Sequence, residues 1–467
     1  LGGGLAVGAT LVAAGIPPLL GAVPLGAGVT FAFGHWRSWP VHEWTAVLVG
    51  WSSLGSHRRW RARFPLLGED DGGRAAALPP CLAGLDVIEA SSQWTRRRRL
   101  GSVGVIRDAP ARTFSASVRV QGREFALVER SEQDRLLAGW GNVLAGFCRE
   151  RSAVTRLAWT EWAAPAGLDE HLRYVEAEAS APEDSPHRAA YLALLEAAGP
   201  MTTTHEVLVT VTVAQRRVNA SRRAGAHSET DALLEEVHLL SSRLEDAGLT
   251  VAPPLSPAEL REVLRMRLDP RGMPRLATLR RSRAFAALGS HNYGPLALDA
   301  YFGHARADRS LHRTYWIAEW PRLELPPAWM EPLALFAGSV RTLSVVYEPV
   351  PPSRSQRRVD RDATKLASDE EQRSKRGFRV GARHRRAETA VLEREQELVA
   401  GYAELEFAGF LTVTAADHET LERSSADYEQ AAAQVGLELR PLDGQHDLGL
   451  VASLPVGRFP TERRLAS

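Results

Sequence analysis

From Leu1 to Gly34 the chain carries no charged side chain, and Pro17 and Pro18 divide this stretch into two apolar halves, Gly2–Ile16 and Leu19–Phe33. No other feature constrains the fold as much. A water-exposed domain rarely leaves so long a run uncharged, whereas a bilayer, which offers no water to a charge, requires it. The expectation is a transmembrane helical hairpin. Each half is a little shorter than the ~20 apolar residues of a spanning helix, a shortfall that an earlier true start would remove, as Leu1 in place of methionine suggests. A cleaved signal peptide and a buried core segment are the alternatives, but the run lacks a basic lead and exceeds a signal's apolar core in length. Gly4-x-x-x-Gly8 would let a neighbouring helix approach closely, although it says little in a stretch this rich in Gly and Ala.

The flank has the composition of a membrane interface. Trp36, Arg37, Trp39, Trp44, Trp51, Arg58, Arg59, Trp60, Arg61 and Arg63 gather directly after the apolar run, with tryptophans suited to the headgroup level and arginines to a cytoplasmic flank. The segment Trp44–Leu54 is too short to span and fits a helix lying in the interface. Arg96–Arg99 could touch anionic headgroups or form a solvated basic turn. The expected location is the cell (inner) membrane, multi-pass, with the body cytoplasmic and lipid as one partner.

Composition narrows the rest. A chain of 467 residues with 44% hydrophobic content can hold two or three domains. Its net charge of +1 argues against a general nucleic-acid-binding surface. Lys365 and Lys375 are the only lysines, so the arginine content reflects residue usage and is not a DNA-binding signal. Cys81 and Cys148 stand alone, without metal-type spacing, which excludes a disulfide framework; one long-range bridge is the sole alternative.

The expected fold class is α+β: residues 1–66 as membrane hairpin and interfacial segment, 67–84 as linker, and then two ferredoxin-like α+β units. Alternation at Val103–Arg107, Thr113–Val120, Arg123–Val128, Ala153–Trp162 and Glu206–Val213 predicts strands, and Glu132–Glu150 and Pro186–Ala198 read as helices, giving a first domain over 85–225. Leu233, Leu234, Val237, Leu240 and Leu244 predict an amphipathic helix over Thr230–Ala247, and Ser256-Pro257-x-Glu259 opens another. These form a helical insert or bridge over 226–310. The second domain, 311–467, repeats the order of the first: strands at His312–Trp320, Thr342–Glu348, Glu406–Thr414, Leu437–Leu439 and Leu448–Leu454, helices at Ala328–Ala337 and His418–Val435. Within it lies a long charged helical stretch, 353–400.

Chemistry-bearing patterns are missing. Neither lysine follows a glycine, so there is no phosphate-binding loop. His205-Glu206 and His42-Glu43 lack the second histidine of a zinc helix, and no G-x-S-x-G elbow occurs. Asp299, Asp308, Glu319 and Glu331 are scattered carboxylates. No catalytic residue, cofactor or metal is therefore expected, and an enzyme is the least favoured class. Two elements could dock a partner. The strand Thr314–Pro321 presents Tyr315, Trp316 and Trp320, as core alternation or as an aromatic docking surface. Arg376, Arg379, Arg383, Arg385 and Arg386 precede Glu388, Glu393, Glu395 and Glu397, as a solvated helix with intrahelical ion pairs or as an arm contacting protein or nucleic acid.

Several separated strings resemble one family: the apolar hairpin with its Trp/Arg flank, TYWIAEWPR from Thr314, SVVYEPVPPS over Ser344–Ser353, RGFRVGARHRRAE, and GFLTVT over Gly409–Thr414. Together, over nearly the whole chain, they resemble actinobacterial PrgI-like membrane proteins found with conjugation and type IV secretion genes. The resemblance implies a two-helix inner-membrane subunit joined to a body like the non-motor amino-terminal region of the conjugative secretion ATPase. The motor itself would be a separate P-loop ATPase. The expected function is a non-enzymatic structural component that docks this ATPase to the membrane, as an oligomer with other inner-membrane subunits. A structural subunit of a type VII apparatus is the alternative, and a DNA-contacting accessory protein of conjugation is less favoured.

Overall fold

Strand-forming sequence here is of one kind. In the second halves of Thr203–Ala214 and Leu405–Ala415, Thr alternates with Val or Leu, so a β-branched pleat turns hydroxyls to one face and hydrocarbon to the other. A computed structural model of the chain describes residues 30–31, 34–36, 39–62, 78–122, 125–165, 169–178, 181–182, 184–198, 203–221, 228–272, 293–322, 325–336, 339–375 and 382–459.

Strands β1 (His35–Trp36) and β2 (Trp39–Pro40) pair only with each other. Helix α1 (Val41–Leu54) and strand β3 (Arg59–Arg61) follow. A first unit runs β4 (Leu85–Ala90), α2 (Gln93–Arg97), β5 (Val103–Asp108), β6 (Thr113–Gln121), α3 (Arg130–Ala145) and β7 (Val154–Pro165). It continues with α4 (Asp169–Glu178), α5 (Pro186–Ala198), β8 (Thr203–Ala214), α6 (Gln215–Ser221), α7 (Glu229–Asp246), β9 (Thr250–Pro254) and α8 (Pro257–Leu268). A second unit runs β10 (Ala297–Ala300), β11 (Ala305–Ala307), β12 (Ser310–Glu319), α9 (Glu331–Ala334) and β13 (Val340–Pro349). Then come α10 (Pro352–Lys375), α11 (Ala382–Val399), β14 (Leu405–Ala415), α12 (His418–Gln434), β15 (Glu438–Pro441) and α13 (His446–Val451).

Among the described residues, all strands but β1 and β2 form one sheet of 13, ordered β3-β10-β11-β12-β14-β13-β7-β8-β6-β5-β4, with β9 beside β6 and β15 beside β12. The two units are wired alike. Each has a βαββαβ succession whose strands lie in the order β9-β6-β8-β7 or β15-β12-β14-β13, with a hairpin added outside. The register repeats as well. Ser117 faces Thr210 and Ser115 faces Thr212 in the first unit; Thr314 faces Thr412 and His312 faces Thr414 in the second. Leu255 N–H donates to Ser117 O at 3.0 Å, and its counterpart Leu442 N–H to Thr314 O at 2.9 Å. Carried one strand further, this register matches Thr160 of β7 with Ser344 of β13. Those two residues face each other across the β7–β13 pair. An approximate two-fold therefore passes between them, and the units are copies joined edge to edge.

The sheet is curled. Nine strand spacings at ~4.8 Å separate β4 from β10, yet Leu85 and Val87 share a core with Leu298 and Ala307, and Tyr293 Oη–H donates to Leu85 O at 3.1 Å. The inner face carries the hydroxyls, paired across strands: Ser115 with Thr212 at 2.9 Å, Ser117 with Thr210 at 2.8 Å, Thr314 with Thr412 at 3.0 Å. The outer face is mostly hydrocarbon. It is covered by α7, which buries Leu233, Leu234, Val237, Leu240 and Leu244, each contributing roughly 1.5–3 kcal/mol of transfer free energy, and by α12 through Leu421, Tyr428 and Ala432. Ser228 and Ser256 start α7 and α8 with capping boxes, closed by Asp231 and Glu259.

After α13 the chain crosses the inner face from the second unit to the first. Ser453 O accepts from Arg267 at 3.1 Å and Gly457 O from Arg156 at 3.3 Å, while Arg458 grips both oxygens of Asp108 at 2.8 Å. Gly457 has φ +68°, and a Cβ there would lie 2.2 Å from Ser115 Oγ and 2.4 Å from Thr212 Oγ1. Gly457→Ala is expected to lower stability by about 1–3 kcal/mol, measured by urea unfolding, because a strained backbone and a packed hydroxyl pair must both yield.

The expected transmembrane hairpin, and with it a multi-pass location in the cell membrane, is not what the structure gives. Among the described residues no helix is long and apolar enough to cross a membrane; the two apolar halves, apart from Thr30 and Phe31, lie outside the described residues. The segment read as an interfacial helix, α1, packs on the body along one side and exposes Leu48 and Val49 on the other. In α1, Trp44 and Val47 are buried against Phe302 and Trp316, with the Trp44 and Phe302 rings stacked at 6.2 Å. Two further expectations differ locally. Leu448–Leu454, an apolar run read as a strand, overlaps α13, because Gly449 lets that segment lie directly on Thr314. Arg123–Val128, also read as a strand, contains a single 3-10 turn at Phe125–Leu127.

Candidate functional site

Arginines expected at a lipid surface are engaged within the fold, and Arg61 ties β3 to the body. Arg58 lies 4.1 Å over the Trp51 ring and donates to Trp51 O at 2.6 Å. Arg59, Trp60 and Arg61 form β3, which pairs with β10, and Arg61 binds Asp299 through both nitrogens at 2.6 and 3.0 Å. Trp36 and Trp39 pair across the β1–β2 ladder. Arg37 and Arg63 lie outside the described residues.

The aromatic strand divides between the two faces of the sheet. Tyr315 is fully buried on the outer face and donates to Glu429 at 2.9 Å. Trp316 is half-buried on the inner face beside Trp44. Trp320 packs edge-on to Phe407 at 5.3 Å, over the bare Gly409, and leaves Phe407 49% exposed. The strand therefore offers only its end to solvent.

The strongest polar cluster was invisible in the sequence. On the outer face near the two-fold, Arg341 of β13, fully buried, binds both oxygens of Glu161 of β7 at 2.7 and 3.0 Å, and its second nitrogen also donates to Ala334 O. His205 of β8 approaches the same carboxylate at 2.7 Å. Burial pushes the Glu161 carboxyl up, but the hydrogen bonds and charge of Arg341, with His205 behind them, outweigh it and hold it below the usual carboxylate range. A carboxylate held in this way is a fixed ion-pair partner and a poor proton acceptor. Glu161 and Arg341 are 180 residues apart, and no local spacing announces them. Burial likewise raises the thiols of Cys81 and Cys148, so neither is poised as a nucleophile. Among the described residues no group of three or more His, Cys, Asp or Glu side chains is placed to hold a metal ion.

What remains for contact are two helical arms. Helices α4 and α5 join the end of β7 to the start of β8; α10 and α11 join the end of β13 to the start of β14. Because β7 and β13 are antiparallel neighbours, the arms leave opposite ends of the sheet. On α5 no described side chain is buried, and Tyr191 is 43% and Leu194 67% exposed; on α4 Tyr174 is exposed too. An apolar helix on which no described side chain is buried is a signal for a partner. The second arm is charged. Arg385 and Arg386 are exposed on α11, where Arg383 also falls, while Arg376 and Arg379 lie outside the described residues. Neither a family model nor a curated protein matches this chain.

Proposed function

We propose that this chain is a non-enzymatic structural component of a type IV secretion or conjugation apparatus, and that it receives a separate P-loop ATPase on the α4–α5 arm. One observation carries the docking site: α5 is apolar around most of its circumference, and no described side chain on it is buried. A helix of that kind is stable in water only when something covers it. The PrgI-like strings support the apparatus and the identity of the partner, and the commitment of Glu161, His205 and Arg341 to one structural cluster favours a scaffold over a catalyst.

The test is capture by the tagged full chain at high salt, which screens charge contacts and leaves apolar ones. A P-loop ATPase identified by mass spectrometry is expected to be retained by the native chain, with retention falling at least ~10-fold in Tyr191→Glu/Leu194→Glu. Absence of any such ATPase from the native eluate, or equal retention by the variant, overturns the proposal.

A further inference from the structure

The arm that carries α5 is acidic as well as apolar. Between the end of β7 at Pro165 and the start of β8 at Thr203 the chain holds seven aspartates and glutamates against two arginines, Arg173 and Arg188, with histidine counted as neutral. The whole protein carries a net charge of only +1, so this excess is local. Among the described residues of the arm, Glu176, Glu178 and Asp184 are exposed, whereas Arg188 is half-buried. The apolar side chains lie among these charges. Tyr174 stands one helical turn from Glu178 on α4, and Asp184 precedes α5 by two residues. Along α5, Tyr191 and Leu194 are spaced to share a face. The arm therefore offers hydrocarbon that gains by being covered, within a negative field.

The sign of that field sorts the occupants. Nucleic acid phosphates and anionic lipid headgroups are repelled by a surface of their own charge. A second copy of the arm would bring its own carboxylates against these. A protein surface with an apolar cleft edged by arginine or lysine fits both features of the arm. We propose that the α4–α5 arm docks a protein surface of that chemistry, and that its carboxylates set how fast the partner arrives. Complementary charge acts mainly on the association rate, by steering the encounter, while buried apolar contacts act mainly on dissociation. This inference rests on the ATPase-docking reading of the same arm, and adds to it the character of the ATPase's contacting face: apolar at its centre, basic at its edge.

Association and dissociation kinetics of the purified full chain with the ATPase that the tagged chain retains test it, by surface plasmon resonance at several salt concentrations. At ~0.01 M salt the Debye length is ~30 Å, so charges anywhere on the arm act on an approaching partner; at ~1 M it is ~3 Å and they do not. The native association rate constant is expected to fall at least ~10-fold between these limits. Glu176→Lys/Glu178→Lys/Asp184→Lys, three exposed positions, is expected to lower the association rate at ~0.01 M salt at least ~10-fold and to flatten its salt dependence, with a far smaller change in dissociation. Circular dichroism checks that the variant keeps its helix content, and the native salt dependence decides the matter by itself if it does not. An ATPase whose association is indifferent to salt or quickened by it, or a folded variant that associates as fast as the native chain or loses affinity through dissociation instead, overturns this inference and leaves the docking reading standing. Absence of any ATPase from the native eluate overturns both.

Discussion

Replacing Arg341 with methionine is expected to lower the stability of this protein by about 3–5 kcal/mol at neutral pH, because it strands the buried Glu161 carboxylate without its countercharge. Burial of the pair decides the magnitude. Arg341 is inaccessible to solvent and Glu161 nearly so, so water cannot replace the lost guanidinium. Removing both partners, as Arg341→Met/Glu161→Leu, is expected to recover most of the loss, since the desolvation of two ions is removed together with their attraction. The pH dependence separates this from a simple packing defect. In the native chain the Glu161 carboxyl is held below its unfolded value, so its contribution is present above the unfolded pKa and is lost as pH falls through the lower, folded one. In Arg341→Met only burial and His205 remain around that carboxyl, and the deficit relative to the native chain shrinks as the pH is lowered toward ~4. Urea unfolding at neutral and mildly acidic pH measures both effects. A deficit under about 1 kcal/mol, or one that grows in acid, would contradict the assignment.

Acid is expected to weaken the chain in a higher window through His312. This imidazole is fully buried at the start of β12, with Nε2 2.9 Å from Leu268 O and Nδ1 2.9 Å from Thr414 Oγ1. The carbonyl can only accept, so Nε2 carries the proton and Nδ1 accepts from the threonine. Among the described residues no countercharge acts on it to stabilise a second proton, and burial lowers the pKa to about 4. The unfolded chain, with an ordinary histidine near 6.5, binds more protons below that value. Stability is thus full above pH ~6.5 and falls by about 3 kcal/mol as the pH approaches 4. His312→Gln keeps an amide donor and acceptor but does not titrate, and it is expected to remove about one proton from the uptake on unfolding in this window. His446, also lowered by burial, leaves a residual slope. An unchanged slope in His312→Gln would mean that this ring is not the buried neutral group described here.

Much of the secondary structure was readable from local pattern. Helix α5 has the bounds its sequence predicts, Pro186–Ala198, and the strands from Val103, Thr113 and Leu405 follow their alternation, because pleat and side-chain period coincide. Errors came where a short apolar run fits either structure. Leu448–Leu454 has no period of its own, and its helical turn is imposed by contact between Gly449 and Thr314. Ala328–Ala337 has a longer helical pattern than the single turn that forms, since Trp329, Met330 and Phe336 are drawn onto the core of the second unit. Trp44 and Arg61, read as part of a membrane interface, carry a related ambiguity. Trp44 against Phe302, or Arg61 against Asp299, satisfies in a folded body the same needs that a membrane interface satisfies, and composition alone does not distinguish the two solvents. The Glu161–Arg341 pair and the two-fold through Thr160 and Ser344 involve partners far apart in sequence, with no spacing rule to find them.

By itself the sequence determined most of the strands and helices and the capped start of one helix at Ser256, and that no phosphate loop or metal motif is present in it. Those are consequences of local periodicity and of side chains a few residues apart. Only the tertiary structure decided that both halves share one curled sheet, which buried ions they share at the seam, and which helices are left uncovered. Each of these depends on strand pairing between distant segments, and pairing sets burial: the same leucine stabilises a core when another element covers it, and marks an interface when none does.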